Sequence, residues 1–205
     1  KYDYYAKERL KLLQMPSFDS SWMNMLEQKM AEVSVTIAIA RLDGVNFIMQ
    51  AMQEMATSFP RTLISIDGWL ENNINDKTAL ILEDEIKEAL LANRQHDKLS
   101  ARTNFGIHKT DFVVRHSEKN MVAANCSTGE QKAMLIAIML ADIMAKINWR
   151  GTSPILLLDE IMVHLDAKRR QELLEFLNAT DTQYWITSTD DDTFIGHEDV
   201  NLVYL

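Results

Sequence analysis

Two acids close an apolar run in Ile155-Leu156-Leu157-Leu158-Asp159-Glu160. In a sheet of parallel strands wound with helices, the carboxyl end of a strand faces the ligand crevice, so Asp159 and Glu160 would sit at its mouth. There the first acid can hold the Mg²⁺ of a nucleotide, often through water, and the second can orient or deprotonate an attacking water. A strand that merely ends in acids has the same local sequence. Leu165-Asp166 follows, with Asp166 also placed to cap the next helix. A second candidate lies upstream in Asn125-Cys126-Ser127-Thr128-Gly129-Glu130-Gln131-Lys132, a polar loop that runs straight into an apolar helix. A serine hydroxyl and free backbone N–H groups at a helix start form an anion site, and Gly129 lets a phosphate approach the backbone. A capped helix start with no ligand explains the same residues.

These stretches need elements to hold them. Phe112–His116, Ile155–Leu158, Gln183–Thr187 and Asn201–Leu205 read as strands, and residues 128–147 and 167–178 as helices, the second with Asp166 as N-cap. Apolar strands alternating with helices predict an α/β lobe whose parallel sheet is covered on both faces. Ahead of it, residues 2–93 are mostly helical, with a break at Met15-Pro16-Ser17-Phe18-Asp19-Ser20. Met23, Leu26, Met30, Val33 and Ile37 recur at helical spacing, and a second stripe runs from Leu42 through Met52 to Phe59, stopping at Pro60. Methionine at such positions fills gaps in a core. Thr62–Gly68 alternates as a strand, and Ala79–Asn93 is an amphipathic helix whose acids, Glu83, Asp84, Glu85 and Glu88, form a solvated face. The predicted organisation is a helical arm over 1–98, with a short strand near 62–67, and an α/β lobe over 99–205.

Composition narrows the setting. The chain has 205 residues, 47% hydrophobic and 25% charged, with a net charge of -9. That balance argues against a generally basic nucleic-acid binder and leaves room for a local basic patch. A single cysteine, Cys126, cannot form an internal disulfide, and no charged-then-apolar leader opens the sequence, which points to a reducing cytosolic compartment, with a bacterial-type or a nuclear interior fitting equally well. The most apolar run, Ala133–Ile147, contains Asp142 and falls short of the roughly 20 residues that cross a bilayer. It reads as a core helix, and no membrane partner is expected.

Ser-Thr-Gly-Glu-Gln-Lys before a core helix, followed by Leu-Leu-Leu-Asp-Glu and His-Leu-Asp, resembles the signature, Walker B and D-loop series of ABC/SMC-type ATPase heads. Gly106-Ile-His108-Lys109-Thr-Asp111 ahead of it resembles the Gly-Pro-His-Arg-x-Asp motif of the RecF family within that group. The resemblance implies the C-terminal lobe of a P-loop ATPase head plus a mostly helical arm, ATP and Mg²⁺ as cofactors, and an ATP-dependent homodimer. It implies that Ser127, Thr128, Gly129, Glu130, Gln131 and Lys132 form the signature loop. Ser127 and the Gly129 amide would touch the γ-phosphate of ATP bound to the other subunit. Asp159 would serve Mg²⁺ through water, Glu160 would be the catalytic base, and Leu165-Asp166 would form the D-loop that reports across the interface. Thr189 falls at the switch position, where transporters carry a histidine; its identity weighs against a transporter subunit. For the family, the resemblance implies binding to single-stranded or gapped DNA and action with RecR and RecO to load RecA, supporting repair, replication restart and SOS induction.

No Gly-x-x-x-x-Gly-Lys-Ser/Thr string is present, and Phe105-Gly-Ile-His-Lys-Thr lacks the required glycines. The chain therefore reads as the part of such a head that lies C-terminal to the P-loop, not expected to hydrolyse ATP alone. The best DNA-contact candidates are Arg94, Lys98, Arg102 and Lys109, within a segment of modest basic excess, where a solvated surface is an equal reading. His108, with Asp111 three residues on, also reads as a structural hydrogen-bonding group. Two rivals stand beside this reading. One is the head of another SMC-like ATPase, which a long heptad coiled coil would mark. The other is a non-catalytic helical scaffold with a degenerate ATPase lobe, which has no use for Ser127 together with Asp159-Glu160.

Overall fold

A computed structural model describes residues 1–180, 182–188, 201 and 203. The chain divides into two compact units, one of Lys1–Asn46 with Ile64–Val113 and one of Phe47–Leu63 with Val114–Leu205. The element order is α1 (Tyr2–Gln14), α2 (Ser20–Glu54), β1 (Thr62–Asp67), α3 (Trp69–Asn73), α4 (Ala79–Ser100), β2 (Asp111–His116), β3 (Met121–Val122), α5 (Thr128–Arg150), β4 (Leu156–Leu158), α6 (Ala167–Ala179) and β5 (Tyr184–Ile186). The expected helices and the strands near 62–67, 112–116, 155–158 and 183–187 are all present. Of the expected strand over 201–205, residues 202, 204 and 205 lie outside the described residues, as does Thr189.

The first unit is built on the stripes read from the sequence. Met30, Val35 and Ala38 of α2 bury against Leu82, Ile86 and Leu90 of α4 and Tyr2 of α1, while Met23 and Leu26 pack on Leu12 and Leu13. Each such methionine, leucine, isoleucine or valine contributes about 1.5–3 kcal/mol on leaving water. Between these layers lies a fully buried Arg9, whose guanidinium donates to Glu27, Asp97 and the Leu90 carbonyl. The helix α2 is long and apolar enough in composition to cross a membrane. Its Arg41, however, is held by Glu71 and the Ile107 carbonyl within this unit. The acids of α4 are less idle than a solvated face implies: Glu85 pairs with Lys77 and Asp84 with Lys87.

The expected boundary at 98/99 differs from the observed division, because residues 99–113 belong with the first unit. The reason is local bonding. Asp97 accepts from the backbone and side chain of Asn104, each at 2.9 Å, and His108 bonds to Tyr2 at 3.0 Å. Gly106 adopts φ +140, where a Cβ would lie 2.2 Å from the Tyr2 hydroxyl, so glycine is required for that approach.

The second unit centres on α5. Its Ala133, Ile136, Ala137, Leu140 and Ile143 pack with Leu158 of β4, Met162, Leu165 and the Leu173, Leu174 and Leu177 face of α6. Gly151 ends α5 in the left-handed region and donates its N–H to Ile147 at 2.7 Å. The sheet differs from expectation in two ways. Strand β2 joins a three-stranded sheet of order β1-β2-β3, in which β2 and β3 are antiparallel, while β4 and β5 form a separate parallel pair. That pair is covered on one face only among the described residues: Leu158 is buried, whereas Leu157 and Trp185 are 80% and 59% exposed. The apolar, continuous sequence of β4 matches a strand buried on both faces, whereas among the described residues α5 and α6 supply cover on one. Helix α5 is likewise not wholly buried, since Leu135 and Trp149 are exposed.

Candidate functional site

Strand β4 ends at Leu158, so Asp159 and Glu160 emerge at the carboxyl end of a parallel strand, as the apolar-then-acidic spacing predicts. Register does the rest. Leu158 pairs with Ile186, Thr187 donates its N–H to the Leu158 carbonyl at 3.0 Å, and the Thr187 side chain therefore lies beside the two acids. Its hydroxyl donates to Asp159 Oδ1 at 2.6 Å and accepts the Glu160 N–H at 3.0 Å. Glu160 sits in the left-handed region at φ 48, ψ 25, a conformation that costs a non-glycine residue about 1 kcal/mol or more. Non-glycine residues in such conformations persist where surrounding bonds over-determine them, and they cluster at functional sites. Asp159 and Glu160 are both exposed.

Beyond Glu160 the chain makes a short 3-10 turn over Ile161–His164 and buries Met162 and Leu165. Arg170 Nε donates to the carbonyls of Met162 at 3.1 Å and Leu165 at 2.9 Å, which pins the turn to α6. Asp166 caps α6 by accepting from the Arg169 N–H at 2.9 Å. Asp159, Glu160, Leu165 and Asp166 thus lie along one strand end and the turn that follows it.

The loop of Ser127–Lys132 opens α5. Ser127 and Glu130 form a reciprocal capping box: the Glu130 N–H reaches Ser127 Oγ at 3.4 Å, and Glu130 Oε2 accepts from the Ser127 N–H at 2.9 Å and its hydroxyl at 2.8 Å. Lys119, in the turn between β2 and β3, forms an ion pair with the other Glu130 oxygen. Hydrogen bonding from Lys119 and then from Ser127 lowers the Glu130 carboxyl to about 2. The Ser127 hydroxyl, read from the sequence as part of an anion site, donates its proton to the Glu130 carboxylate in this structure. Gln131 ties the loop from behind by donating to the carbonyls of Ala123 and Cys126 at 2.9 and 3.1 Å. Thr128 and Gly129 are exposed, Lys132 is half-buried, and a Cβ built on Gly129 meets nothing within 4 Å, so the outer side of the loop is open to a ligand. The helix that the loop opens and the strand that the acids follow pack in one core, and no hydrogen bond or ion pair joins the loop to the acids among the described residues.

The donor set suits a particular kind of ion. Asp159 Oδ1 is committed to Thr187, and no group of three or more His, Cys, Asp or Glu residues is assembled among the described residues. One or two outward carboxylates fit Mg²⁺ whose remaining ligands are phosphate oxygens and water.

The basic candidates fare unevenly. Arg94 is occupied: its guanidinium donates to Glu27 at 3.0 and 2.5 Å and to Asn24 at 2.7 Å. Lys98 reaches the Met15 carbonyl at 3.4 Å, whereas Arg102 and Lys109 are exposed. His108 has the structural role read for it, accepting from or donating to Tyr2 at Nδ1 and facing the Thr103 carbonyl at 2.8 Å through Nε2. Because a carbonyl only accepts, Nε2 carries the proton and Nδ1 accepts from the Tyr2 hydroxyl. Asp111 accepts from the Phe112 N–H at 2.7 Å. Sequence reading missed the bonds that Thr187 makes to the acids and Lys119 to Glu130. The first needs the register of β5 on β4, and the second needs the β2–β3 turn to be placed beside α5.

The pattern of a family described as "AAA domain, putative AbiEii toxin, Type IV TA system" matches residues 47–189. The DNA replication and repair protein RecF of Rickettsia prowazekii is 50% identical over 190 residues, covering 93% of this chain and 52% of that protein. RecF of Rickettsia typhi is 48% identical over 189 residues, covering 92% and 52%. The chain spans about half the length of the curated relatives it matches. Its fold is similar to a structure of the recombination mediator protein RecF with ATP, at a TM-score of 0.73 and 19% identity over 93% of this chain and 52% of that one. With an α/β lobe that carries the acidic strand end and the capped loop, and with that match across residues 47–189, the chain belongs to this AAA ATPase-domain family and is RecF-like in sequence and fold.

Proposed function

We propose that this chain is the portion of a RecF-like, ATP-dependent dimerising switch that reads the nucleotide held by a partner subunit. The observation that carries the reading is the acid pair Asp159-Glu160, presented at a parallel strand end with its backbone held by Thr187, in a chain 50% identical to a protein named for DNA replication and repair. Mg²⁺, when bound, supplies charge that stabilises the transferring phosphoryl group. Asp159, whose Oδ1 accepts from Thr187, would serve that ion through its water shell. Glu160, exposed at the strand end, takes the proton of the attacking water.

The loop of Ser127–Lys132 contributes from the other side. The γ-phosphate displaces the Glu130 carboxylate from the hydroxyl and backbone N–H of Ser127, so that one anion replaces another at the helix start. Leu165 and Asp166, fixed by Arg170 and Arg169, form the D-loop facing the partner, and Thr189 takes the switch position. The whole protein binds single-stranded or gapped DNA and acts with RecR and RecO ahead of RecA, in the bacterial cytoplasm. Arg102 and Lys109, exposed on the first unit, are the phosphate contacts, while Arg94 and Lys98 serve the helical arm.

The test begins with the complete open reading frame that contains this sequence: absence of a Gly-x-x-x-x-Gly-Lys-Ser/Thr string there overturns the ATPase reading. In the protein so encoded, Ser127→Arg abolishes ATP-dependent dimerisation measured by sedimentation, and Glu160→Gln traps the ATP-bound dimer. Dimerisation unchanged by Ser127→Arg removes the trans-phosphate role of the loop.

A further inference from the structure

We propose that Thr187 is a positioning residue for both acids, setting the rotamer of Asp159 and the backbone of Glu160 through one hydroxyl. The proposal rests on the reading of Asp159 as the residue that serves the ion and Glu160 as the base. Thr187 is 28 residues from Asp159 in sequence and carries a single side-chain proton, which it gives to Asp159 Oδ1 at 2.6 Å. The lone pair left on the same oxygen takes the Glu160 N–H at 3.0 Å. Its own N–H is spent on the Leu158 carbonyl at 3.0 Å, so the backbone from which the hydroxyl projects is fixed by the β4–β5 ladder.

The consequence for the site is directional. With Oδ1 held by Thr187, the orientation of the Asp159 carboxylate is fixed, and a carboxylate locked in one rotamer binds an ion's water without first losing side-chain freedom. Glu160 is in the left-handed region at φ 48, and the bond to its N–H is the side-chain contact that stabilises this conformation. An extended or right-handed Glu160 would aim its carboxylate elsewhere, because the φ/ψ of a residue sets the direction of its Cα–Cβ bond. A valine is close to isosteric with threonine and lacks the hydroxyl; a serine keeps the hydroxyl and lacks the methyl. The pair therefore separates hydrogen bonding from packing.

The experiment uses the protein translated from the complete open reading frame, as Thr187→Val, Thr187→Ser and the parent. Thr187→Val lowers kcat by about tenfold to a hundredfold and leaves the KM for ATP and ATP-dependent dimerisation within about twofold; Thr187→Ser stays within about threefold of the parent. A second readout avoids turnover: in the Glu160→Gln background with ATP, Mn²⁺ titrated by electron paramagnetic resonance binds about tenfold more weakly when Thr187→Val is added and normally with Thr187→Ser. Parent-like kcat and Mn²⁺ affinity in Thr187→Val, or an equal loss in Thr187→Ser, overturns the proposal. Hydrolysis that persists in Glu160→Gln alone overturns the underlying reading of the acids, and the proposal falls with it. If Glu160→Gln stops turnover and Thr187→Val does not slow it, the positioning role alone fails.

Discussion

Replacing Arg9 by methionine removes a buried guanidinium while keeping most of the volume of its stem. Arg9 donates at 2.9 Å to Glu27, at 2.7 Å to Asp97 and at 2.7 Å to the Leu90 carbonyl, with no exposure to solvent. The losses are unequal. Glu27 keeps both oxygens on Arg94, and Asp97 Oδ1 keeps the two bonds from Asn104, but Asp97 Oδ2 is left buried and unpaired. An orphaned buried charge of this kind, added to the lost donor at Leu90, costs about 3–5 kcal/mol. For a chain of this size that is a fall in Tm of roughly 6–20 °C. Urea unfolding followed by circular dichroism gives the free energy directly. Arg9→Lys keeps the charge without the three-pronged fork and falls between the two. Because Asp97 also anchors Asn104, Arg9→Met further speeds amide exchange over residues 101–109. A loss below about 1 kcal/mol in Arg9→Met would refute the reasoning that one arginine neutralises both acids across three helices.

Three further outcomes follow from the same geometry. The Glu130 carboxyl, held at about 2 by Lys119 and Ser127, contributes its cap in full above the ordinary carboxyl value of 4.5 and loses it as pH falls toward about 2; Lys119→Ala moves the midpoint upward in a carboxyl-resolved NMR titration. Burial pushes the Tyr2 hydroxyl up to about 12, so its contribution to stability is intact below pH 10.0 and lost as pH rises through about 12, read as the phenolate absorbance missing from Tyr2→Phe. Asp166→Ala removes the cap of α6 and costs about 1 kcal/mol, with faster exchange at the Arg169 amide as its local signature.

Much of this protein is written in short-range pattern. The helical stripes of α2 and α4, the apolar strand ended by Asp159-Glu160, the caps at Ser127 and Asp166 and the break at Met15–Asp19 depend on residues within a turn or two of one another. Local propensity and periodicity are sufficient for such features. The resemblance of three motifs in the right order added the family, which the match across residues 47–189 supports.

What the linear pattern left open is what depends on distant residues meeting. The sequence has no means of stating that Thr187 bonds Asp159, that Lys119 neutralises Glu130, or that Arg94 is consumed by Glu27, since each pairing is set by strand register or helix packing. The same holds for the division of the chain, where Asp97 and Tyr2 draw residues 99–113 into the first unit against a boundary that composition places at 98/99. Residue type and spacing determined which groups are capable of chemistry; tertiary structure decided which of them are already spent on one another, because hydrogen-bond capacity is finite and its use is fixed only when the chain has folded.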